Sequence, residues 1–207
     1  MNEILKYFPK INPEQTNKLQ DLYSIYELWN SKINLISRKD FENLYTHHVL
    51  HSLSILKFIK FKNGTKVLDV GTGGGFPGVP LAILFPEVEF TLIDGIGKKI
   101  LAVNSIIKDL KINNAKGINI RAEDLSEKND FIVARAVGSL DKFYPLIQRN
   151  ISSNSFNDIT NGLIYLKGGD LSHELRQIKN YKEVLISDYF SESFFKDKKI
   201  IYIPTTP

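Results

Sequence analysis

The run Asp69-Val70-Gly71-Thr72-Gly73-Gly74-Gly75-Phe76-Pro77-Gly78 carries the plainest chemistry in the chain. It continues an apolar stretch that reads as a strand, and glycines placed there let the backbone turn sharply and lie against a ligand. The dinucleotide fingerprint needs glycine at its first, third and sixth positions, and the sixth position here is Phe76. Phe76 and Pro77 would also crowd the helix N-terminus that a pyrophosphate has to reach. A Walker loop is excluded too, because no Gly-Lys-Ser/Thr follows. What remains is Asp-x-Gly-x-Gly-x-Gly, the form used for S-adenosylmethionine, with Gly71 and Gly73 expected against that cofactor. Asp94 closes the next strand, Phe90-Thr91-Leu92-Ile93. A carboxylate there accepts hydrogen bonds from both ribose hydroxyls of a nucleoside; it is also placed to cap the following helix, and the two roles are compatible. Arg121-Ala122-Glu123-Asp124 lies past a third strand, where an adenine ring would rest, with a backbone amide from Ala122 and an acceptor from Glu123.

Methyl transfer from a sulfonium asks mainly for alignment of donor and acceptor. The chain has no cysteine, which excludes the thiolate nucleophile of a cytosine carbon-5 methyltransferase, disulfides and Cys-ligated zinc. The Asn/Asp-Pro-Pro-Tyr motif that serves exocyclic amines is replaced by Ala134-Arg135-Ala136, so no essential acid or base is expected. Arg135, leaving the fourth strand, is suited to the cofactor or to guanine O6; the alternative is a local partnership with Asp130 or Glu123. Lys167 leaves the fifth strand beside Gly168-Gly169, either toward a phosphate or into solvent. Lys98 and Lys99 open a helix near the cleft, and Arg38 with Lys39 extends a basic track of the kind that sets affinity for RNA. His47 and His51 have a metal-compatible spacing but no third ligand, so no metal is expected. Trp29 is suited either to stacking on a base or, at helical spacing with Leu22 and Leu28, to the core.

These groups need a frame. Asn12-Pro13-Glu14-Gln15 is a capping box with proline at the first helical position, and Leu19, Leu22, Ile25, Leu28 and Trp29 follow at helical spacing. A second helix is expected from Phe41 to Ile59, with Leu44, Val49, Leu53, Leu56 and Phe58 among its apolar positions. After Asn63-Gly64 the pattern becomes alternating: strands at 66–70, 90–93, 118–120, 131–137 and 163–166, helices at 79–85, 98–110, 140–147 and 171–178, and a polar loop at 150–161. Ile100, Leu101, Val103, Ile107 and Leu110 are expected to face inward from the 98–110 helix. Two last strands, 183–187 and 199–203, lack an intervening helix and are set to pair as a hairpin. Seven strands, five of them alternating with helices, predict an α/β fold. It is a mostly parallel, Rossmann-like sheet of the class I S-adenosylmethionine-dependent methyltransferase type, with helices on both faces. Residues 1–63 are expected to form a helical extension packed on a methyltransferase domain, 64–207.

With 43% hydrophobic and 24% charged residues, the composition is that of an ordinary globular protein. The N-terminus lacks the apolar core of a signal peptide and no run is long enough to span a bilayer, so a cytoplasmic chain is expected. A net charge of +4 and a pI near 9.0 permit an RNA partner without requiring one.

Several stretches, in order along the chain, resemble the RsmG family, also called GidB or glucose-inhibited division protein B. They are Trp29-Asn30 with Asn34-Leu35, His48-Val49-Leu50-His51-Ser52-Leu53, the run from Val67 to Ile83, Leu92-Ile93-Asp94 with Lys98-Lys99-Ile100, Arg121-Ala122-Glu123, Arg135-Ala136-Val137 with Leu140, and Leu166-Lys167-Gly168-Gly169. His51 stands where many relatives have Asp, Gly95 where Ser is common, and the tail after Lys167 is less typical. The resemblance implies methylation of N7 of a guanine in the 530 loop of 16S ribosomal RNA (position 527 in standard rRNA numbering), on RNA or on a small-subunit particle. It implies cofactor contacts at Gly71, Phe76, Ala122, Glu123 and Arg135, and places His48 at the cleft. Two other readings stay open: a small-molecule methyltransferase on the same fold, with a closed apolar pocket, and a non-catalytic RNA-binding protein, with a damaged cofactor site.

Overall fold

The computed structural model describes residues 1–205. Seven strands are present: β1 (Lys66–Val70), β2 (Glu89–Asp94), β3 (Ala115–Asn119), β4 (Phe131–Arg135), β5 (Gly162–Gly168), β6 (Lys182–Leu185) and β7 (Lys198–Pro204). They form one sheet in the order β3-β2-β1-β4-β5-β7-β6. The first five are parallel, and β7 inserts antiparallel between β5 and β6. The expected terminal hairpin is therefore present, with its second strand on the inside.

The central strands are buried on both faces, which is why they read as unbroken apolar runs. Val67, Phe131, Val133 and Ile164 pack on one side, and Leu68, Val70, Ile132, Ala134, Leu163 and Tyr165 on the other. The second side is covered by α7 (Leu140–Ile147) and the short α8 (Ser172–Leu175). The first is covered by α5 (Gly78–Leu84), α6 (Gly97–Asp109) and the N-terminal elements, whose Ile4, Leu19, Leu22, Leu44, Val49 and Leu53 share its core. Two N-terminal helices, α1 (Asn2–Tyr7) and α2 (Pro13–Lys32), precede the sheet. The capping box of α2 is formed: Gln15 N–H donates to Asn12 Oδ1 at 2.8 Å and Asn12 N–H to Gln15 Oε1 at 3.2 Å.

The inward face of α2 is Leu19, Leu22 and Tyr26, whereas Leu28 is 55% exposed. Position 28 lies two residues beyond Tyr26, which on a helix is the opposite side. Trp29 is half-buried against the core with Lys32 over its ring. Tyr26 was the residue to find, because its hydroxyl donates to the carbonyl of Gly74 at 2.6 Å and ties α2 to the glycine loop. Tyr26→Phe is expected to cost about 1 kcal/mol by orphaning that buried carbonyl. In thermal denaturation the midpoint then falls by roughly 2–4 °C.

Other boundaries also shift. The expected 41–59 helix is four pieces: a 3₁₀ turn (Phe41–Asn43), a π-helical segment (Leu44–Leu50), α3 (His51–Leu53) and α4 (Ile55–Phe58). Other donors also reach its carbonyls: Arg135 bonds His47 O, Ser52 Oγ bonds His48 O, and Ser54 Oγ bonds His51 O. Leu101 is 63% exposed, and Ala102 and Ile106 fill the inward face of α6 instead. β3 begins at Ala115 because pairing with β2 outweighs the poor strand propensity of Ala-Lys-Gly. β4 stops at Arg135 because Ala136 adopts φ +57.

Candidate functional site

Strand order reverses between β1 and β4, and the crevice beyond the carboxyl ends of such a pair is where ligands sit in these sheets. There the chain forms a cavity of about 730 Å³, a size suited to a nucleoside-based ligand. Gly71, Gly73, Phe76, Asp94, Ala122, Glu123 and Arg135 all line it, so the sequence-derived cofactor set is brought together.

Gly71 and Gly73 hold φ of +66 and +58, the left-handed region that costs other residues energy. A Cβ on Gly71 would meet Val137 Cγ1 at 2.6 Å; one on Gly73 would have only Gly71 O nearby, at 3.9 Å. The loop thus leaves bare backbone along the cavity edge. Below it, Asp69 is fully buried and accepts from Thr72 Oγ1 at 2.6 Å and Gly78 N–H at 2.8 Å. Burial raises its pKa to about 7, against the hydrogen bonds that lower it. That value suits a general base, but Asp69 does not line the cavity; it pins the two ends of the loop.

Asp94 is held by the chain and still open. Its Oδ2 accepts from Gly73 N–H at 3.0 Å and its Oδ1 from Ile96 N–H at 2.8 Å. A carboxylate oxygen has two lone pairs, so each can take a ribose hydroxyl as well. The N-cap of α6 is Ile96 rather than Asp94. Ala122 and Glu123 form a 3₁₀ turn after β3, Glu123 lying 3.7 Å from Arg121.

Arg135 partners neither Asp130 nor Glu123. Its guanidinium lies 5.1 Å above the Phe76 ring, donates to His47 O at 3.0 Å, and meets His48 Nδ1 at 2.9 Å. Burial lowers its pKa to about 10, which leaves it charged at neutral pH. The other ring nitrogen of His48, Nε2, lies 2.8 Å from Asp40 Oδ2, and Asp40 Oδ1 bonds His47. His48 and Lys167, expected to meet RNA, therefore have their polar atoms engaged inside the protein. Lys167 Nζ bonds Gly138 O at 2.8 Å and pairs with Glu174 at 2.9 Å. Lys99 lines the cavity half-buried, Lys98 is exposed beside it, and Arg38 and Lys39 are exposed on the N-terminal segment. Sequence reasoning missed Asp40, although it stands two helical turns before a histidine pair. It also missed Lys142, an exposed cation at the cavity lining. Among the described residues there is no group of three or more His, Cys, Asp or Glu able to hold a metal, and no helix long and apolar enough to cross a membrane.

Burial first, and then the Arg135 charge, lower the His48 pKa from 6.5 to about 4. A depressed pKa contributes stability that is fully present above about 6.5 and is lost as pH falls toward 4. His48→Phe cannot take up that proton. The stability gap between wild type and this variant should therefore narrow by a few kcal/mol on acidification from pH 7 to about 4. Urea unfolding of both proteins across that range checks it; a constant gap contradicts a neutral, buried His48.

A doubly wound parallel sheet that ends in an antiparallel insertion, with a glycine loop at its switch point, is the class I, Rossmann-like methyltransferase fold. Comparison with known proteins narrows this to a family. Residues 15–200 match the family model described as GidB, rRNA small subunit methyltransferase G, and the chain belongs to that family. It is 50% identical to the ribosomal RNA small subunit methyltransferase G of Flavobacterium psychrophilum, covering 99% of this chain and 98% of that protein. It is also 50% identical to the protein of the same name from Bacteroides thetaiotaomicron, with 98% of each covered. A SAM-dependent methyltransferase of Aquifex aeolicus superposes with a TM-score of 0.57 at 17% identity, over 83% of this chain and 100% of that one, a likeness of fold.

Proposed function

We propose that this chain transfers a methyl group from S-adenosyl-L-methionine to N7 of a guanine in the 530 loop of 16S ribosomal RNA, at position 527 in standard numbering. Family membership supports the reaction class. The observation that carries the cofactor is the bare-backbone edge at Gly71 and Gly73 facing the oriented carboxylate of Asp94. When bound, the cofactor supplies a methyl already activated on a sulfonium. Guanine N7 offers a lone pair and carries no proton, so the residues here bind, orient and exclude water, and none removes a proton. Gly71 and Gly73 let the backbone lie against the nucleoside, Asp94 accepts its ribose hydroxyls, and Ala122 and Glu123 take the adenine edge. Phe76 and Arg135 wall the end where the guanine enters. Arg38, Lys98 and Lys99 contact RNA phosphates, while His48 and Lys167 act through the neighbours they hold. The helical extension, residues 1–63, serves the methyltransferase domain, 64–207, by supplying Tyr26, Asp40 and His48. The partner is 16S rRNA in a small-subunit particle or assembly intermediate, met in the cytoplasm, and one copy of the chain suffices.

The test is transfer from methyl-labelled S-adenosylmethionine to small-subunit particles lacking the modification, with mapping of the labelled base. Label at N7 of the 530-loop guanine is expected. RNA affinity should fall linearly on a log–log plot against salt. Cofactor binding without label in RNA, and with no salt dependence, would instead point to a small-molecule acceptor; no cofactor binding refutes the enzyme.

A further inference from the structure

Arg135 enters the cavity with its direction set from outside the methyltransferase sheet. The guanidinium has five N–H donors. One goes to His47 O and one to the His48 ring, both on the π-helical segment. Because Arg135 has only donors, His48 Nδ1 must be the acceptor, and the ring proton must sit on Nε2. Nε2–H then points at Asp40 Oδ2, whose other oxygen is held by His47. Phe76 closes the arrangement from below, 5.2 Å from the His48 ring and under the guanidinium.

We propose that Asp40 is a positioning residue for methyl transfer: it fixes the Nε2–H tautomer of His48, and that ring in turn orients Arg135 so that its remaining donors face the methyl acceptor. Three features set this apart from an ordinary surface ion pair. Asp40 makes bonds to two successive histidines, so it cannot rotate without losing both. Among the described residues, His48 has no other hydrogen-bond partner for its ring nitrogens. The side chains of Asp40 and His48 are only 35% and 13% exposed. Without Asp40, the His48 proton is free to move to Nδ1, where two donors would face each other and Arg135 would swing away. The chain Asp40–His48–Arg135 thus links the segment that follows α2 to the end of β4. The proposal rests on the methyltransferase reading only through the activity readout; the tautomer is measurable without RNA.

Two measurements test it. In ¹⁵N-histidine-labelled wild type at neutral pH, the His48 Nδ1 resonance should be of the unprotonated type and Nε2 of the protonated type. In Asp40→Ala the pair should shift toward exchange between tautomers. A charged ring, or an Nδ1–H tautomer in wild type, overturns the proposal whatever the substrate is. The second is a double-mutant cycle. Asp40→Ala should lower kcat/KM for RNA methylation on the order of 10-fold in the wild-type background, and hardly at all in Arg135→Met, where nothing is left to position. His48→Gln, which keeps one acceptor and one donor on its terminal amide, should retain more activity than His48→Phe, which should lose as much as Asp40→Ala. Additive losses in the Arg135→Met background, or equal losses for His48→Gln and His48→Phe, would mean that Asp40 only stabilises the fold.

Discussion

Gly71→Ala and Gly73→Ala are expected to abolish tight cofactor binding by different routes, and the first should destabilise the fold more. At Gly71 the added methyl would sit 2.6 Å from Val137 Cγ1 while φ is held at +66. Left-handed strain of ~1–2 kcal/mol adds to an overpacking term of ~1–3 kcal/mol, so the melting temperature should drop by roughly 5–15 °C. At Gly73 the methyl stands in open space beside the cavity. Strain alone operates there, at ~1–2 kcal/mol, but the methyl occupies the edge along which the ligand has to lie. S-adenosylmethionine affinity should fall on the order of 100-fold, as expected when close backbone approach is blocked. Titration calorimetry with thermal melts separates the two. If Gly73→Ala keeps its affinity, the glycine loop is only a turn.

Arg135→Met should lower kcat/KM for RNA methylation by roughly 10–100-fold, the worth of about 1–3 kcal/mol for a bidentate arginine at a base. Two effects combine. A cation is lost from the cavity lining, and His47 O with His48 Nδ1 lose the Arg135 donors. Arg135→Lys is expected to do little better, because an ammonium cannot reach both acceptors while stacking over Phe76. Single-turnover methylation on the small-subunit particle is the measurement, and unchanged rates in both variants would remove Arg135 from the reaction.

The sheet was legible because its central strands are buried on both faces and its helices on one. Such burial writes itself as apolar runs and as helical periodicity at Ile100, Val103 and Ile107. The candidate cofactor residues were legible because each lies at or just beyond a strand end, where its position follows from the strand before it. What was hidden depends on pairing across long separations. Tyr26 bonds to a carbonyl in the glycine loop, and no local pattern marks that hydroxyl. Asp40 meets two histidines 7 and 8 residues on, across a 3₁₀ turn and a π-helical segment that no local pattern marks. Lys167 is at a strand end, as expected, but Glu174 on the following short helix claims its charge.

The bond from Arg135 to His47 spans 88 residues of chain, and it bears on the order of events during synthesis. The helices before β1 emerge ahead of the sheet, and α1, α3 and α4 are too short to persist alone in water. Their apolar faces belong to a core whose other wall includes Phe131 and Val133 of β4, which appear much later. The nascent N-terminal third must therefore wait, unsealed, until β4 has been made. The same residue that ends that wait lines the cavity, so a chain stalled before β4 has neither a closed N-terminal segment nor a finished cavity.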